Sequence, residues 1–161
     1  MIKVAQIEDL PGIIEIYNQA IDARFQTAFT EHWAAKERTD WFGTHDASYP
    51  LLVYMIDGKV AGWLSISPYR SGRAALKTCV EISYFVHNKH KGKGIGKALL
   101  AKGLETCRQL GYKTALAIII EKNMPSIQLA EKFGFEKWGH LPGVVNFGGE
   151  VCAHLYYGIT L

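Results

Sequence analysis

Apolar and polar positions along the chain change period several times, and each change marks an element. Residues 2–7 alternate, as a half-buried strand does. Asp9 stands where a helix cap is expected, Pro11 falls in the first turn, and Leu10, Ile13, Ile14, Tyr17, Ala20 and Ile21 recur on one stripe. A second helix is expected from Glu31 to Phe42, with Thr30 as its cap. Pro50 to Ile56 and Lys59 to Ser67 read as strands joined at Asp57-Gly58, a strong hairpin turn pair. Leu76 to Val86 reads as another strand. After a glycine-rich stretch the period returns to that of a helix from Gly94 to Leu110, with Ile95, Leu99, Leu100, Leu104, Cys107 and Leu110 on its apolar stripe and Gly111 as the stop. Tyr112 to Ile120 is a β-branched apolar run, suited to a strand covered on both faces. Pro125 to Phe133 reads as a short helix ended by Gly134, and Phe135 to Trp138 and Ala153 to Thr160 as the last strands. The order is β-α-α-β-β-β-α-β-α-β-β. A helix leads from the glycine stretch to a further strand, which makes that strand pair parallel. The pattern predicts a mixed α/β sheet with helices on both faces, in a single domain over residues 1–161.

Composition narrows the class. Hydrophobic residues make up 48% and charged residues 20% of the 161, ordinary values for a globular chain. No apolar run approaches the ~20 residues of a bilayer span, and the N-terminus lacks the pattern of a signal peptide, so a cytoplasmic protein without membrane association is expected. The net charge of +3 is too small an excess to argue for a nucleic-acid partner. Three cysteines (Cys79, Cys107, Cys152) lie far apart with no metal-binding spacing, and read as buried reduced thiols.

The charge is local. Residues 87–97 read H-N-K-H-K-G-K-G-I-G-K, with four lysines, two histidines and no acid. Gly92, Gly94 and Gly96 follow a predicted strand and open a predicted helix, the setting in which backbone N–H groups turn toward an anion. Lys91, Lys93 and Lys97 add full charges. The stretch is not a nucleotide-triphosphate loop: Lys91 stands where the first glycine belongs, and Gly96-Lys97 is followed by Ala98, not by a metal-binding hydroxyl. Nor is it a dinucleotide fingerprint, since the third glycine comes one residue early.

Lys91 to Leu100, followed about thirty residues later by Asn123-Met124-Pro125-Ser126, resembles the GNAT-type N-acetyltransferase superfamily. A narrower pattern resembles its phosphinothricin acetyltransferase-like branch: Ile16 to Ile21, Trp41-Phe42, Gly62-Trp63, Arg73 to Ala75, Val80 to Ser83, Glu131 to Phe135 and Gly139 to Gly143, in that order. The resemblance implies a mostly antiparallel central sheet with helices on both faces. It also implies an acetyl-CoA-dependent enzyme acting on the amine of a small amino acid or analogue, without metal, as a homodimer. Backbone groups of Tyr84, Phe85 and Val86 are then expected along the pantetheine arm. Lys91, Gly92, Lys93, Gly94, Ile95, Gly96 and Lys97 are expected at the pyrophosphate, Asn123 near the thioester end, and Ser126 among the cofactor-binding residues. Glu81 matches the active-site glutamate. Arg73 is a candidate for the substrate carboxylate, and Phe29 and Trp63 are expected to wall the substrate pocket.

The chemistry is consistent with elementary requirements. An α-amine of pKa ~8 is only about one-tenth neutral at pH 7, so a base is useful. Alternation puts Glu81, Ser83 and Phe85 on one face of their strand and Val80, Ile82, Tyr84 and Val86 on the other, and a carboxylate beside Phe85 should be partly desolvated. A backbone N–H near Phe85 would polarise the thioester oxygen. Three positions depart from the family pattern: Phe133 where many relatives carry a tyrosine, Leu76 where the branch often has one, and Ala153 where an aspartate is common. Two alternatives therefore stay open: a catalytically silent acyl-CoA-binding module, and an acetyltransferase for a protein N-terminus or an aminoglycoside.

Overall fold

The computed structural model describes residues 1–161, apart from the side chains of Ala35 and Glu37. Its elements are β1 (Ile2–Val4), α1 (Leu10–Asp22), α2 (Ala35–Gly43), β2 (Leu51–Ile56), β3 (Lys59–Pro68), β4 (Cys79–Val86), α3 (Ile95–Gln109), β5 (Thr114–Ile120), α4 (Met124–Lys132), β6 (Glu136–Phe147) and β7 (Glu150–Thr160). The strands form one seven-stranded sheet in the order β1-β2-β3-β4-β5-β7-β6. Only β4 and β5, joined through α3, run parallel, and every other neighbouring pair is antiparallel. The expected mixed, mostly antiparallel sheet is the one observed. Among the described residues no helix is long and apolar enough to cross a membrane.

Two apolar layers hold the helices to the sheet. Ile13, Ile16 and Tyr17 of α1 pack with Val53 and Trp63 on one face. Leu99, Leu100, Leu104 and Cys107 of α3 pack with Leu64, Ile66, Val80 and Ile82 on the other, joined by Ile127 and Ala130 of α4. Alternation along β3 and β4 serves both: Trp63 and Phe85 face α1, while Leu64 and Ile82 face α3.

The differences from the sequence reading have local causes. α2 begins at Ala35, not at Glu31, and Thr30 does not cap it. Trp33 is the reason: its N–H donates to Asn18 Oδ1 at 2.7 Å and its carbonyl accepts from Asn18 Nδ2 at 3.1 Å, so its backbone is committed to α1 and cannot join a helix. β1 stops at Val4, and Asp9 ends a short 3-10 turn and stands at the N-cap of α1 as expected, but its carboxylate bonds nothing in the helix: it accepts instead from the Gln6 N–H, which precedes the turn, at 2.8 Å and from Lys3 Nζ at 2.6 Å. β4 begins at Cys79 because residues 74–76 form another such turn. Leu110 lies beyond the end of α3 and is exposed, so it does not extend the stripe. The last two strands are longer than alternation suggested. Gly139, Pro142 and Gly143 read as breakers, yet β6 is an edge strand and absorbs them in register shifts at 137–139 and 141–145.

Candidate active site

β4 and β5 pair only through Cys79–Thr114, Val80–Ala115 and Glu81–Leu116, although both strands continue well beyond. Past Glu81 they diverge, and a cavity of about 920 Å³ opens along the split. The register with β3 decides which backbone groups face it. The His87 N–H bonds to the Ala61 carbonyl at 3.0 Å and the Tyr69 N–H to the Cys79 carbonyl at 3.2 Å. Odd-numbered residues of β4 therefore exchange bonds with β3, and even-numbered ones turn their N–H and C=O toward β5. Phe85's own N–H is thus committed to β3. The groups that face the split belong to Tyr84 and Val86, and they offer an extended ligand the edge of a strand.

At one end of the cavity lies the glycine stretch. Gly92 and Gly94 have φ of +76° and +79°, a backbone that side-chain-bearing residues rarely adopt, and a side chain on either would meet open space. Gly94 caps α3, whose first intrahelical bond runs from the Ala98 N–H to the Gly94 carbonyl. The N–H groups of Ile95, Gly96 and Lys97 precede that bond, so they have no acceptor within the helix and form an anion cradle at its positive end. Lys91 and Lys97 line the cavity beside them. Lys93 does not line it directly: its Nζ lies 3.5 Å from Nδ1 of His90, which does. Asn123 and Ser126 stand in the opposite wall, where Asn123 Oδ1 accepts from the Ser126 N–H at 3.4 Å and caps α4. That cap uses the carbonyl oxygen of Asn123 and leaves its NH₂ for a ligand.

The other end is built from side chains. Glu81 is half-buried, and burial raises its carboxyl above the usual carboxylate range. Its cross-strand neighbour is Ser67, and Ser65 faces Ser83 two pairs along, on the same face. His154 reaches the same space from β7, with its imidazole pKa lowered by burial. Tyr17 forms the floor, its ring edge-on to Phe85 at 4.9 Å and its hydroxyl 2.6 Å from Thr27 Oγ1. Burial raises that phenol's pKa, the Thr27 bond and the charge of Arg38 lower it, and the charge of Glu81 raises it. Arg38 and Glu81 therefore both lie within electrostatic reach of one hydroxyl.

The sequence-predicted residues divide accordingly. Glu81, Tyr84, Phe85, Val86, Lys91, Gly92, Gly94, Ile95, Gly96, Lys97, Asn123, Ser126 and Phe29 come together around the cavity. Trp63 also lines the cavity, from beneath: the residue is 2% exposed, its Nε1 donates to the Ile13 carbonyl at 3.1 Å, and its ring lies 4.8 Å from that of Phe85. Arg73 is not in the wall. It is exposed in the loop before β4, and its guanidinium folds back on the Ser71 carbonyl at 3.4 Å. The arginine that the cavity does contain is Arg38 of α2, set over the rings of Trp33 and Phe29. A signal for it exists in the sequence: Arg38, Trp41 and Phe42 recur at helical spacing, so a charge occupies the inner stripe of α2. Tyr17 and Thr27 gave less, because a tyrosine on an apolar stripe reads as core.

Residues 13–135 match the Acetyltransferase (GNAT) family. The chain is 36% identical to YwnH of Bacillus subtilis over 150 residues, 92% of this chain and 91% of that protein. It is 33% identical to the L-methionine sulfoximine/L-methionine sulfone acetyltransferase of Salmonella typhimurium, over 91% of this chain and 86% of that one. The crystal structure of a GNAT superfamily phosphinothricin acetyltransferase from Sinorhizobium meliloti, in complex with AcCoA, superposes with a TM-score of 0.94 and 29% identity, covering all of this chain and 88% of that one.

Proposed function

Since the chain belongs to the GNAT acetyltransferase family, we propose that it transfers an acetyl group from acetyl-CoA to the free amine of a small amino acid or analogue, of the kind that methionine sulfone, methionine sulfoximine and phosphinothricin exemplify. The observation that carries the reading is the asymmetry of the split between β4 and β5. One end presents backbone donors and lysines suited to a pyrophosphate, and the other a desolvated carboxylate suited to an amine. Names of similar proteins point the same way.

The cavity fits the donor on two counts. The cradle at Gly92 to Lys97 matches a pyrophosphate in charge and in hydrogen-bond sense, and the open backbone edge of Tyr84 and Val86 matches an amide-bearing arm. Bound acetyl-CoA supplies the activated acetyl group. Glu81 accepts the amine's proton, directly or through water, which yields the neutral nucleophile that only about one-tenth of an α-amine provides at pH 7. The raised carboxyl pKa brings its basicity nearer the amine's own. The Tyr84 or Val86 N–H is placed to polarise a carbonyl in the split. Transfer is direct and not through a covalent enzyme intermediate: Cys107 is fully buried with its thiol pushed up to about 11, and burial raises Cys79 and Cys152 as well. The need for acetyl-CoA supports a cytoplasmic location, and exposed Trp138, Leu141 and Val144 along edge strand β6 support a homodimer.

The test is release of CoA thiol from acetyl-CoA over a panel of amines: the three amino-acid analogues above, the common amino acids, an aminoglycoside and a short peptide. Acetylation of a small amino acid is the expected result. Preference for the aminoglycoside or the peptide would overturn the acceptor class. Acetyl-CoA binding without turnover on any amine would favour a silent acyl-CoA-binding module.

A further inference from the structure

Among the described residues, Arg38 is a cation without a counter-charge. Its guanidinium lies 4.1 Å from the ring centroid of Trp33 and 5.4 Å from that of Phe29. Its Nε is buried with no hydrogen-bond partner, and no carboxylate among the described residues pairs with it. A buried donor left without an acceptor is costly, and a guanidinium has donors only, so it is relieved by an acceptor and best by an anionic one. Nothing in the fold requires an arginine here, since the inner stripe of α2 is otherwise Trp41 and Phe42. The rings fix the plane of the fork and keep water from one side, the arrangement that makes bidentate recognition of an oxyanion strong. The cavity into which it faces also holds Glu81.

We propose that Arg38 is the residue that binds the acceptor's anionic group, so that one end of the cavity takes a zwitterion: the oxyanion on the Arg38 fork and the amine on Glu81. The assignment rests on the acetyltransferase reading above and adds to it a requirement, that a good acceptor carries a negative charge. It also replaces Arg73 in that role. The oxyanion has two possible sources, an α-carboxylate or an acidic group on the side chain, and the acceptors below separate them.

The experiment compares wild type with Arg38→Gln on three acceptors: L-methionine sulfone, its carboxamide, and phosphinothricin, which carries a phosphinate besides its carboxylate. Loss of a charge-assisted bidentate contact should raise the acceptor KM roughly ten- to hundredfold, with the KM for acetyl-CoA unchanged. If the α-carboxylate sits on the fork, wild type disfavours the carboxamide, and Arg38→Gln impairs the sulfone but not the carboxamide. If the phosphinate does, Arg38→Gln impairs phosphinothricin alone. Either pattern supports the proposal. Equal loss on all three acceptors, or no loss on any, overturns it. Circular dichroism and calorimetric binding of acetyl-CoA report whether the variant folds. Should it not fold, Arg38→Lys keeps a charge over the rings without the fork, and its loss should be smaller and confined to the acceptors that carry the recognised anion. A wild-type enzyme that binds acetyl-CoA but acetylates none of the three overturns both the proposal and the reading beneath it.

Discussion

Replacing Glu81 by glutamine separates the chemistry of this carboxylate from its cost to the fold. The side chain keeps its shape and loses its base. Glu81 makes no hydrogen bond or ion pair among the described residues, and burial is the cause that raises its pKa. For catalysis, loss of a positioned general base costs about 10²- to 10⁴-fold in rate. The residual rate of Glu81→Gln should follow the acceptor's own amine, rising about tenfold per pH unit up to pH ~8. The wild-type rate should rise at lower pH, through the raised carboxyl. For stability the sign is opposite. The folded state holds this proton more tightly than the unfolded chain, where a glutamate titrates near ~4.3. Wild-type stability therefore falls as pH rises from that value through the raised one, and stays lower above it. The glutamine variant has no such loss. Its melting temperature should equal the wild-type value at low pH and exceed it at neutral pH. Initial rates from pH 6 to 9 and thermal melts from pH 4 to 8 check both arms. A variant that keeps kcat/KM within about threefold at pH 7 would refute the base, and one whose melting advantage shrinks as pH rises would refute the desolvation.

Two further outcomes follow from backbone geometry and packing. Gly94→Ala forces a side chain into a left-handed conformation, at about 1–2 kcal/mol, and loosens the cradle; the KM for acetyl-CoA should rise about tenfold with the acceptor KM unchanged, as steady-state kinetics would reveal. A methyl on Gly103 would lie 2.8 Å from Leu64 Cδ1, so Gly103→Ala should cost about 1–3 kcal/mol by overpacking and Leu64→Ala about 2–5 kcal/mol by cavity formation. The double variant should lose less than their sum, because the added methyl partly fills the space left by Leu64; urea unfolding of the four proteins closes that cycle.

Much of this was legible before any coordinates. Period-two alternation placed Glu81 and Phe85 together on one face of β4, and the glycine spacing located the cradle, because both depend on properties of adjacent residues. The resemblance makes Arg73 a candidate for the substrate carboxylate, but the side chain's reach is decided by the fold of its loop, which adjacent residues do not specify. Arg38 is hidden in the sequence for the converse reason: its partners Phe29 and Trp33 come from an irregular segment whose path depends on Asn18 gripping Trp33. The true length of β6 was hidden because Gly139, Pro142 and Gly143 are breakers in a central strand and tolerable at an edge, and edge position is a property of the whole sheet.

The divergence of β4 from β5 has a consequence for how such a molecule changes over time. On the function proposed above, β4 carries both half-sites in opposite phase: its odd-numbered side chains would serve the acceptor, and its even-numbered backbone groups the donor. A substitution at Ser83 or Phe85 alters what the acceptor meets and leaves the donor's contacts in place, since those contacts belong to no side chain. Inserting or deleting one residue is different. It turns Glu81 toward α3 and returns the free backbone groups to β3 in the same stroke. The strand is therefore open to changes of spelling and closed to changes of length, so new acceptors are reached by exchanging letters while the grip on the donor is inherited unaltered.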